Sequence, residues 1–403
     1  MMKIPNVIRN KFVKIKKGTC SFMAFSGHCS DSPLAISLEL HKQAPYIKQS
    51  WIVEEKYLKD VPAFAEKYII DTKEAYKAIN SSEFIVDNVY GPFALQVFNT
   101  PKYRLLGFIY KLLALKKGQK IYTTWHGNAF KKSGRDQIGN DIIDFYCGDM
   151  TMFLSAKFTQ EIFSHLTFGK AKIELLGTPR NDRLFNQTVE DAKKECGLPI
   201  DKKIVLYAPT FRNDGKDIED KNVYRSGIDQ LHMIDFDRLF ESLTKKFGGD
   251  FVFVCRFHYH VSEMVDWADL KMKYGDRVVN GNQCDDMTAY LKSADVLITD
   301  ASSCMYDYSL QYKPCFLFFP DLSHYENEER GFYCPISDLP FACAEDFNAL
   351  VDSILSFDEV KYRDDLNRMF KEMGFVDDGN STQRIVKYIL DEQKYRKKED
   401  SRV

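Results

Sequence analysis

Residues 296–308 read VLITDASSCMYDY, and this stretch decides the fold class of the chain. Its first four residues are apolar or β-branched, which is typical of a buried strand. The polar residues 300–303 are typical of a turn, and the apolar spacing after them predicts a helix over 303–311. A buried strand that passes through a short turn into a helix is the repeating unit of a parallel α/β sheet.

The same alternation of strands and helices runs through the rest of the sequence. Strands are predicted over 51–53, 84–87, 121–124, 151–154, 173–176, 204–208, 251–255, 296–299 and 316–319. Helices are predicted over 32–43, 156–165, 236–247, 286–292 and 303–311. A chain of 403 residues is too long for one such sheet. We therefore predict two Rossmann-like α/β domains with an interdomain cleft, over 1–185 and 186–380, and a helix with a charged tail over 381–403.

The composition argues against several classes of protein. The 56 Lys and Arg residues are balanced by 58 Asp and Glu residues, so no nucleic-acid partner is expected. No apolar run reaches the length of about 18 residues that a membrane span needs, and the N-terminus does not resemble a secretory signal. The ten cysteines show neither a CxxC pair nor zinc-ligand spacing, which predicts reduced thiols in the cytosol and no metal site.

Two segments, 1–18 and 101–120, are basic and contain no acidic residue. The second also carries many leucine, isoleucine and phenylalanine side chains in a window of helical length. Basic and apolar residues mixed in this way are typical of a surface that binds an anionic membrane. The alternative is a helix that packs on the core and exposes a solvated basic face.

Residues 123–132 place a histidine directly after a predicted strand. His126 is followed by a glycine and then by Lys131 and Lys132, which puts a group that titrates near neutral pH close to cations. This pattern favours a general base beside an anionic substrate. The alternative is a histidine whose ring is satisfied by hydrogen bonds within a loop.

Two further strands end in side chains that bind phosphate. Thr210 and Arg212 follow the strand over 204–208, where a hydroxyl and a guanidinium are suited to phosphate oxygens or belong to a domain-linking turn. Arg256, His258 and His260 alternate after the strand over 251–255 and therefore lie on one face. We expect an anionic partner there, because a zinc site needs a third ligand nearby.

Residues 296–308 contain a further candidate site for an anion. Asp300, Ser302 and Ser303 lie between its strand and its helix, so that a serine at the N-cap and the backbone N–H groups form an anion site. An ordinary helix cap is the alternative. The acidic pair Asp285 and Asp286 also precedes a predicted helix, where carboxylates cap the helix as readily as they bind a metal or a ribose. A divalent metal is therefore not implied.

These segments, taken in order, resemble the CDP-glycerol glycerophosphotransferase family. The likeness lies in Trp-His-Gly at 125–127 with the following lysine pair, Gly-x-Pro-Arg-Asn-Asp at 177–182, Tyr-Ala-Pro-Thr-x-Arg at 207–212, Arg-x-His at 256–258, Ile-Thr-Asp-x-Ser-Ser at 298–303 and Arg-Gly-Phe-Tyr at 330–333. It extends over roughly 27–338. Members of this family build teichoic acids and related phosphate-linked polymers of the cell wall and capsule.

The resemblance implies a fold of the glycosyltransferase-B type, with an acceptor-side first domain and a second domain that binds the CDP donor. It implies transfer of a polyol phosphate, glycerol phosphate first among them, from a CDP-polyol to a lipid-linked or polymeric hydroxyl, with release of CMP. It further implies a cytoplasmic protein, peripheral on the inner face of the membrane.

The same resemblance assigns roles to individual residues. His126 is implied to be the catalytic base and His258 a ligand of the pyrophosphate. The residues implied at the donor or its phosphates are Arg256, Asp300, Ser302, Ser303, Thr210, Arg212 and Arg330, with Lys131 and Lys132 on the acceptor or phosphate side.

The chain departs from the family pattern at two positions. Asn128 and Ala129 stand where Thr-Pro is usual, and Ala301 stands where Tyr is usual. We expect these positions to bear on the choice of polyol. Two other functions are compatible with the same fold: a glycosyltransferase that uses a UDP-sugar, and a non-catalytic subunit that binds a nucleotide or polymer.

Overall fold

A computed structural model of the chain describes residues 12–89, 92, 95–98, 100–114, 116–137, 139, 142–145, 149–167, 171–210, 226–257, 262–263 and 265–400. The chain divides into two compact units. Unit 1 comprises Met1–Asn128, Gly134–Asp182 and Met373–Val403, and unit 2 comprises Ala129–Ser133 and Arg183–Glu372.

The elements alternate along the chain as a parallel α/β fold requires. The strands are β1 (Lys16–Met23), β2 (Lys48–Val53), β3 (Glu66–Ile69), β4 (Ser82–Asp87), β5 (Leu95–Phe98), β6 (Lys120–Thr123), β7 (Ile142–Phe145), β8 (Asp149–Leu154), β9 (Lys172–Leu175), β10 (Lys203–Ala208), β11 (Phe251–Cys255), β12 (Val278–Asn280), β13 (Val296–Thr299), β14 (Cys315–Phe318) and β15 (Ala342–Ala344). The helices are α1 (Asp31–Gln43), α2 (Lys73–Ser81), α3 (Pro101–Ala114), α4 (Lys157–Leu166), α5 (Asp182–Asn186), α6 (Val189–Glu195), α7 (Ser226–His232), α8 (Phe236–Phe247), α9 (Trp267–Tyr274), α10 (Met287–Ser293), α11 (Cys304–Ser309), α12 (Leu322–His324), α13 (Phe347–Leu355), α14 (Glu359–Met373) and α15 (Ser381–Asp400).

Unit 1 is built on a seven-stranded sheet in the order β3-β2-β1-β4-β6-β8-β9, in which every pair is parallel. Aromatic side chains from five neighbouring strands line one face of this sheet and are fully buried or nearly so: Trp51, Phe22, Phe84, Tyr122 and Phe153. Adjacent rings stack, with 5.4 Å between the centroids of Phe22 and Trp51 and 5.5 Å between those of Tyr122 and Phe153. Burial of such large apolar surfaces is the main stabilisation of this unit.

Helices α1 and α15 pack against each other and cover that aromatic face. Ile385, Val386 and Ile389 of α15 are completely buried in the same core. The Tyr122 hydroxyl donates to Glu392 Oε2 at 2.7 Å, which satisfies a polar atom that the sheet would otherwise bury.

The loop over 176–182 holds α15 in place. The Asp182 carboxylate accepts the backbone N–H groups of Ser381 (2.9 Å) and Thr382 (2.7 Å), so it caps the first turn of α15 from another part of the chain. The Arg384 Nε donates to the Leu176 carbonyl at 3.0 Å. Asp182, the last residue of the motif at 177–182, therefore stabilises helix α15 in unit 1.

Unit 2 is built on a six-stranded parallel sheet in the order β12-β11-β10-β13-β14-β15. Helix α8 shows why a helix forms on this sheet: Asp235 caps it by accepting the Arg238 N–H, and Gly248 ends it with a φ of 68°. Between these ends the apolar side chains at 236, 239, 240 and 243 recur at the spacing of one helix face, and all four are buried.

The predicted strands and helices are all present within the described residues, with ends shifted by a few residues. The sheets also contain strands that were not predicted, including β1, which lies between β2 and β4 near the middle of its sheet. Lys16 and Lys17 of the basic segment 1–18 thus begin a strand, and Lys17 lies 3.8 Å from Glu83. Residues 1–11 of that segment lie outside the described part of the chain.

Helix α3 confirms that the second basic segment, 101–120, contains a helix. Two lysines of the segment that follow this helix bind acceptor groups of unit 1. Lys116 donates to the Asn80 carbonyl, where burial lowers the pKa of its ammonium to about 8, and Lys120 pairs with Asp149. Over the described ranges, no helix combines the length and the apolar character needed to cross a membrane.

Gly177→Ala should destabilise unit 1 more than the matched change Gly197→Ala destabilises unit 2. Both glycines have left-handed φ values, 89° and 66°, which an alanine adopts at a cost of about 1–2 kcal/mol. A Cβ on Gly177 would in addition overlap the Ser381 hydroxyl and lie 2.9 Å from the Ser381 Cβ, whereas a Cβ on Gly197 meets nothing within 4 Å.

Urea unfolding of the two variants measures the difference. We expect Gly177→Ala to lose at least about 1 kcal/mol more than Gly197→Ala, and hydrogen exchange should assign the excess to α15. Equal losses would show that α15 does not depend on this close approach.

Candidate functional site

His126 is held at the carboxyl end of β6 by the backbone of a neighbouring loop. Its Nδ1 lies 3.2 Å from the carbonyl oxygen of Asn88, which follows β4, the hydrogen-bonded neighbour of β6. A carbonyl oxygen only accepts, so Nδ1 is the donor, and in the neutral imidazole the lone pair is then on Nε2. The side chain is exposed, and its ring stacks on Trp125 with 4.3 Å between centroids. This is the tautomer that a general base at Nε2 requires.

Backbone strain gathers around the same histidine. Ser26, Asp31 and Trp125 have φ values of 52°, 63° and 52°, in the left-handed region that residues other than glycine rarely adopt. Trp125 is adjacent to His126, and Phe25, next to Ser26, has its ring centroid 6.2 Å from that of His126. Strained residues of this kind gather at functional sites, because the surrounding contacts must hold them in place.

An arginine joins this loop to the start of α1. Arg180 Nη1 donates to Asp31 Oδ2 at 2.8 Å, and Nη2 donates to the His126 carbonyl at 3.0 Å. Burial raises the pKa of the Asp31 carboxyl, but the Arg180 guanidinium and the Ser32 N–H outweigh it and hold the pKa below its ordinary value of 3.8. Arg180 therefore positions the backbone that carries His126.

Asn88 also binds the loop that carries Phe25. Its Oδ1 accepts the Phe25 N–H at 2.8 Å, while its Nδ2 is buried and has no acceptor within the described residues. Phe25 is 57% exposed, which leaves an apolar ring at the surface beside a titratable imidazole. An exposed aromatic ring next to an imidazole is suited to packing against a substrate.

Unit 2 brings Thr210 and Asp300 together at the carboxyl ends of paired strands. Strands β10 and β13 pair Ala208 with Thr299, and the Thr210 N–H donates to Asp300 Oδ1 at 2.7 Å. Asp300 is completely buried, so this contact gives its carboxylate a role in fixing the loop after β10. Arg212 lies outside the described residues.

Arg256 follows β11, the other neighbour of β10, and is half-buried. Its Nη1 donates to the Gly281 carbonyl at 3.2 Å and its Nη2 to the Asp285 carbonyl at 3.1 Å, while the guanidinium lies 5.5 Å from the Tyr290 ring centroid. The loop over 281–286 thus fixes the orientation of this cation. His258 and His260 lie outside the described residues.

Ser302 and Ser303 precede α11, as the turn pattern predicts, and both are half-buried. Ser303 occupies the N-cap position without a capping bond from its own side chain, and Ser302 Oγ accepts the Cys304 N–H at 3.4 Å. Helix α11 has only six residues, so its dipole adds little beyond its first turn. The anion-binding capacity here comes from the hydroxyl and N–H groups.

Lys131, Lys132 and Arg330 are brought together in unit 2. Arg330 donates from Nε (3.2 Å) and Nη2 (3.0 Å) to the Lys132 carbonyl, and the Lys132 N–H donates to the Gly331 carbonyl at 3.1 Å. Phe130 and Phe332 stack with 4.5 Å between centroids, which fixes the two segments side by side. The paired lysines are therefore built into the same unit as Thr210 and Arg256, whereas His126 belongs to unit 1.

Sequence reasoning gave no role to Asn88, Asp31, Arg180 or Phe25. Asn88 directly follows the strand predicted over 84–87. A polar side chain directly after a predicted strand was the criterion that identified His126, and the same criterion would have identified Asn88. Asp31 and Arg180 are 149 residues apart, and no local pattern pairs them. In the described ranges, no group of three or more His, Cys, Asp or Glu side chains is placed to hold a metal ion.

Comparison with known proteins places this chain in one family. The chain matches the family described as CDP-Glycerol:Poly(glycerophosphate) glycerophosphotransferase over residues 6–391. A teichoic acid poly(glycerol phosphate) polymerase of Staphylococcus epidermidis is 27% identical over 400 residues, which cover 94% of this chain and 51% of the relative. A teichoic acid glycerol-phosphate primase of Bacillus subtilis is 24% identical over 412 residues, 96% of this chain and 99% of the relative.

A solved structure of the wall teichoic acid polymerase TagF, a variant soaked with CDPG, matches with a TM-score of 0.74 and 26% identity over 97% of this chain and 93% of that one. The predicted fold class, two parallel-sheet α/β domains of the glycosyltransferase-B type, is confirmed. The chain spans about half the length of the Staphylococcus epidermidis polymerase, 51%.

Asp31→Asn should lower stability by about 1–2 kcal/mol at neutral pH, because it removes a half-buried charge that pairs with Arg180. The native pKa of Asp31 is depressed, so its contribution is fully present above pH 3.8 and is lost as the pH falls through the lower native value. The difference between wild type and variant should therefore be constant from about pH 7 to 5 and shrink below about pH 4.

Asp71→Asn is the matched control, since Asp71 has nearly the same φ, 64°, and is exposed. Asparagine tolerates this conformation, so neither change strains the backbone. Urea titrations at several pH values compare the variants. A loss in Asp31→Asn that stays constant into acid would remove the Asp31–Arg180 ion pair as its cause.

Proposed function

The chain belongs to the CDP-glycerol:poly(glycerophosphate) glycerophosphotransferase family, and on that premise we propose that it transfers glycerol phosphate from CDP-glycerol to an acceptor hydroxyl. The acceptor oxygen forms a bond to the phosphorus that bears the glycerol, the bond from that phosphorus to the CMP oxygen breaks, and CMP leaves. The relatives are named a polymerase and a primase, which supports a polymeric or lipid-linked hydroxyl as the acceptor.

The observation that carries the proposal is the 3.2 Å contact between His126 Nδ1 and the Asn88 carbonyl oxygen. With Nδ1 donating to the Asn88 carbonyl, Nε2 takes the proton of the attacking hydroxyl, and the imidazolium that results keeps its Nδ1 bond. The neighbouring Arg180 fixes the backbone of this histidine, so the ring needs little reorganisation during the reaction. General base assistance of this kind contributes about 10²- to 10⁴-fold.

Phosphoryl transfer depends on positioning and charge stabilisation more than on covalent help from the protein. We assign the donor phosphates to unit 2, to the Arg256 guanidinium and to the hydroxyls of Thr210, Ser302 and Ser303. The loop carbonyls that bind Arg256 hold its cation in one orientation before the donor arrives, which is the arrangement that electrostatic stabilisation requires.

The remaining residue roles are proposed from the resemblance to the family. His258 and Arg212 are proposed as further ligands of the pyrophosphate, and Lys131, Lys132 and Arg330 as cations near the acceptor or the phosphates. Asp300 acts by fixing Thr210. A carboxylate so placed orients the loop that carries Thr210 at the donor site.

We also propose that the protein works in the cytoplasm, attached to the inner face of the membrane through α3. Leu105, Phe108, Ile109 and Leu112 lie at the spacing of one helix face and are between 43% and 60% exposed. Gly107 and Tyr110 are buried, so a different face of the helix packs on unit 1. Lys102 and Arg104 accompany this apolar stripe, and the segment has no acidic residue, which favours an anionic lipid surface as its occupant.

His126→Ala should reduce turnover by about 10²- to 10⁴-fold and leave donor binding unchanged, because the base does not contact the cytidine. CMP release from CDP-glycerol with an acceptor measures turnover. His165→Ala, which replaces another exposed histidine of unit 1, is the control and should keep full turnover. Near-normal turnover in His126→Ala would remove this residue as the base.

Thermal unfolding with CDP-glycerol, CDP-ribitol, CMP, UMP and UDP-sugars tests the donor class in the same variants. A ligand present at about 100 times its Kd stabilises the folded chain by about 2.7 kcal/mol. Stabilisation by cytidine ligands alone is the expected result. Stabilisation by uridine ligands alone would make the chain a sugar transferase of the same fold.

The double change Leu105→Glu with Phe108→Glu should weaken binding to anionic vesicles more than tenfold, because each buried apolar side chain contributes about 1.5 kcal/mol or more. Flotation with phosphatidylglycerol vesicles measures the bound fraction. Leu38→Glu is the control, since Leu38 is 49% exposed on α1. Equal flotation of the double variant and wild type would contradict attachment through α3.

A further inference from the structure

Two of the ten cysteines lie side by side in unit 2, near Arg256 but outside the groups assigned to the reaction. Cys196 ends α6, and Cys284 lies in the loop before α10. Helices α6 and α10 pack against each other, and the two side chains are close enough for each thiol to shift the pKa of the other. The chain separates these residues by almost ninety positions, so their contact is a product of the fold.

Arg183 holds together the two segments that carry these cysteines. Its guanidinium pairs with Glu195, the residue before Cys196, and with Asp286, two residues after Cys284. The Cys284 N–H also donates to the Tyr290 hydroxyl at 3.3 Å. The segments that carry Cys196 and Cys284 are therefore held together by charged and polar contacts.

The two thiols are chemically unequal. The Cys196 thiol is 4% exposed, and both the hydrogen bond it donates to Cys284 and its burial raise its pKa. Cys284 is half-buried, and the hydrogen bonds it accepts from Cys196 and from the Asp286 N–H lower its pKa below the usual thiol value in spite of burial. Cys284 is thus the thiol that forms the nucleophilic thiolate, with a second thiol in reach.

We propose that Cys284 and Cys196 form a reversible oxidation site that closes to a disulfide when the chain meets a peroxide. The Cys284 thiolate attacks one peroxide oxygen, and the O–O bond breaks to give a sulfenic acid and hydroxide. The Cys196 thiol, losing its proton, then attacks that sulfur and releases water. In total the two thiols lose two electrons and two protons, and hydrogen peroxide is reduced to two molecules of water.

Closure of this bond acts on Arg256 through the loop that binds it. A disulfide holds its two sulfurs at about 2.05 Å and its Cα atoms within about 7 Å, so closure ties the loop at Cys284 to the end of α6. The adjacent Asp285 and the nearby Gly281 supply the carbonyls that orient Arg256. We therefore expect oxidation to weaken donor binding, a consequence that rests on the proposed function.

The other described cysteines lack this arrangement. Cys20, Cys255 and Cys315 are buried in the sheets, and burial raises the pKa of each thiol. Cys343 is half-buried like Cys284, but burial raises its pKa to about 11. Cys343→Ser is therefore the matched control variant.

Peptide mapping after oxidation tests the disulfide. The full reduced chain is treated with a small excess of hydrogen peroxide, its remaining thiols are alkylated, and it is digested without reductant for mass spectrometry. We expect a linked pair of peptides containing Cys196 and Cys284, loss of two alkylated thiols, and recovery of both with dithiothreitol. Cys343→Ser should behave as wild type, and Cys284→Ser should give no linked pair.

Cys196→Ser provides a second measurement, because it should leave a Cys284 sulfenic acid that dimedone traps. The site would be refuted if Cys196 and Cys284 remain separately alkylated while other thiols oxidise, or if Cys284 links to a different cysteine. Both refuting outcomes are measured on the wild-type chain, so they do not depend on whether the Cys284 variant folds.

Titration with CMP tests the coupling separately. The oxidised wild-type chain should bind CMP at least fivefold more weakly than the reduced chain and regain its affinity with dithiothreitol, whereas peroxide should leave the affinity of Cys284→Ser unchanged. A mapped disulfide with unaltered CMP affinity would overturn the coupling. Failure of the reduced chain to bind CMP would instead refute the proposed donor site, with the mapped disulfide still standing.

Discussion

The guanidinium of Arg180 is the contact on which the candidate base depends. It donates to Asp31 at the start of α1 and to the backbone carbonyl of His126, and so joins a helix and a strand end that are distant in sequence. The same short motif places Gly177 against Ser381 and uses Asp182 to cap α15. One turn after β9 therefore secures both the last helix and the loop that carries His126, and the strain at Asp31 and Trp125 is held by these bonds.

Unit 2 meets a different constraint, which is the geometry of its parallel sheet. Neighbouring parallel strands end at one edge, so residues that follow β10, β11 and β13 must lie close together whatever their separation in the chain. The bond from the Thr210 N–H to Asp300 is the direct result, with 90 residues between the partners. Arg256 is bound by a loop from the next crossover, which supplies carbonyl oxygens instead of a carboxylate and leaves its positive charge uncompensated by them.

Local sequence patterns were sufficient for the elements that are buried along their whole length. Strand β13 is buried throughout and was predicted, whereas β1 begins with two lysines and a glycine and was interpreted as part of a basic segment. What makes β1 a strand is its pairing with β2 and β4, and the Gly18 N–H also donates to Glu83 Oε2 at 2.6 Å, a contact across 65 residues. The same limit applies to the site, where His126 follows a strand visibly but the partners that orient it, Asn88 and Arg180, are identified only by their contacts.

The two departures from the family pattern gain a physical meaning from their burial. Asn128 is 6% exposed, and its Oδ1 accepts the hydroxyls of Ser155 (3.0 Å) and Thr159 (2.9 Å) at the start of α4. Ala301 is completely buried between Asp300 and Ser302. Side chains in such places act on packing and on the position of the loop. Phe25 is the contrasting case, since the fold leaves its ring 57% exposed beside His126.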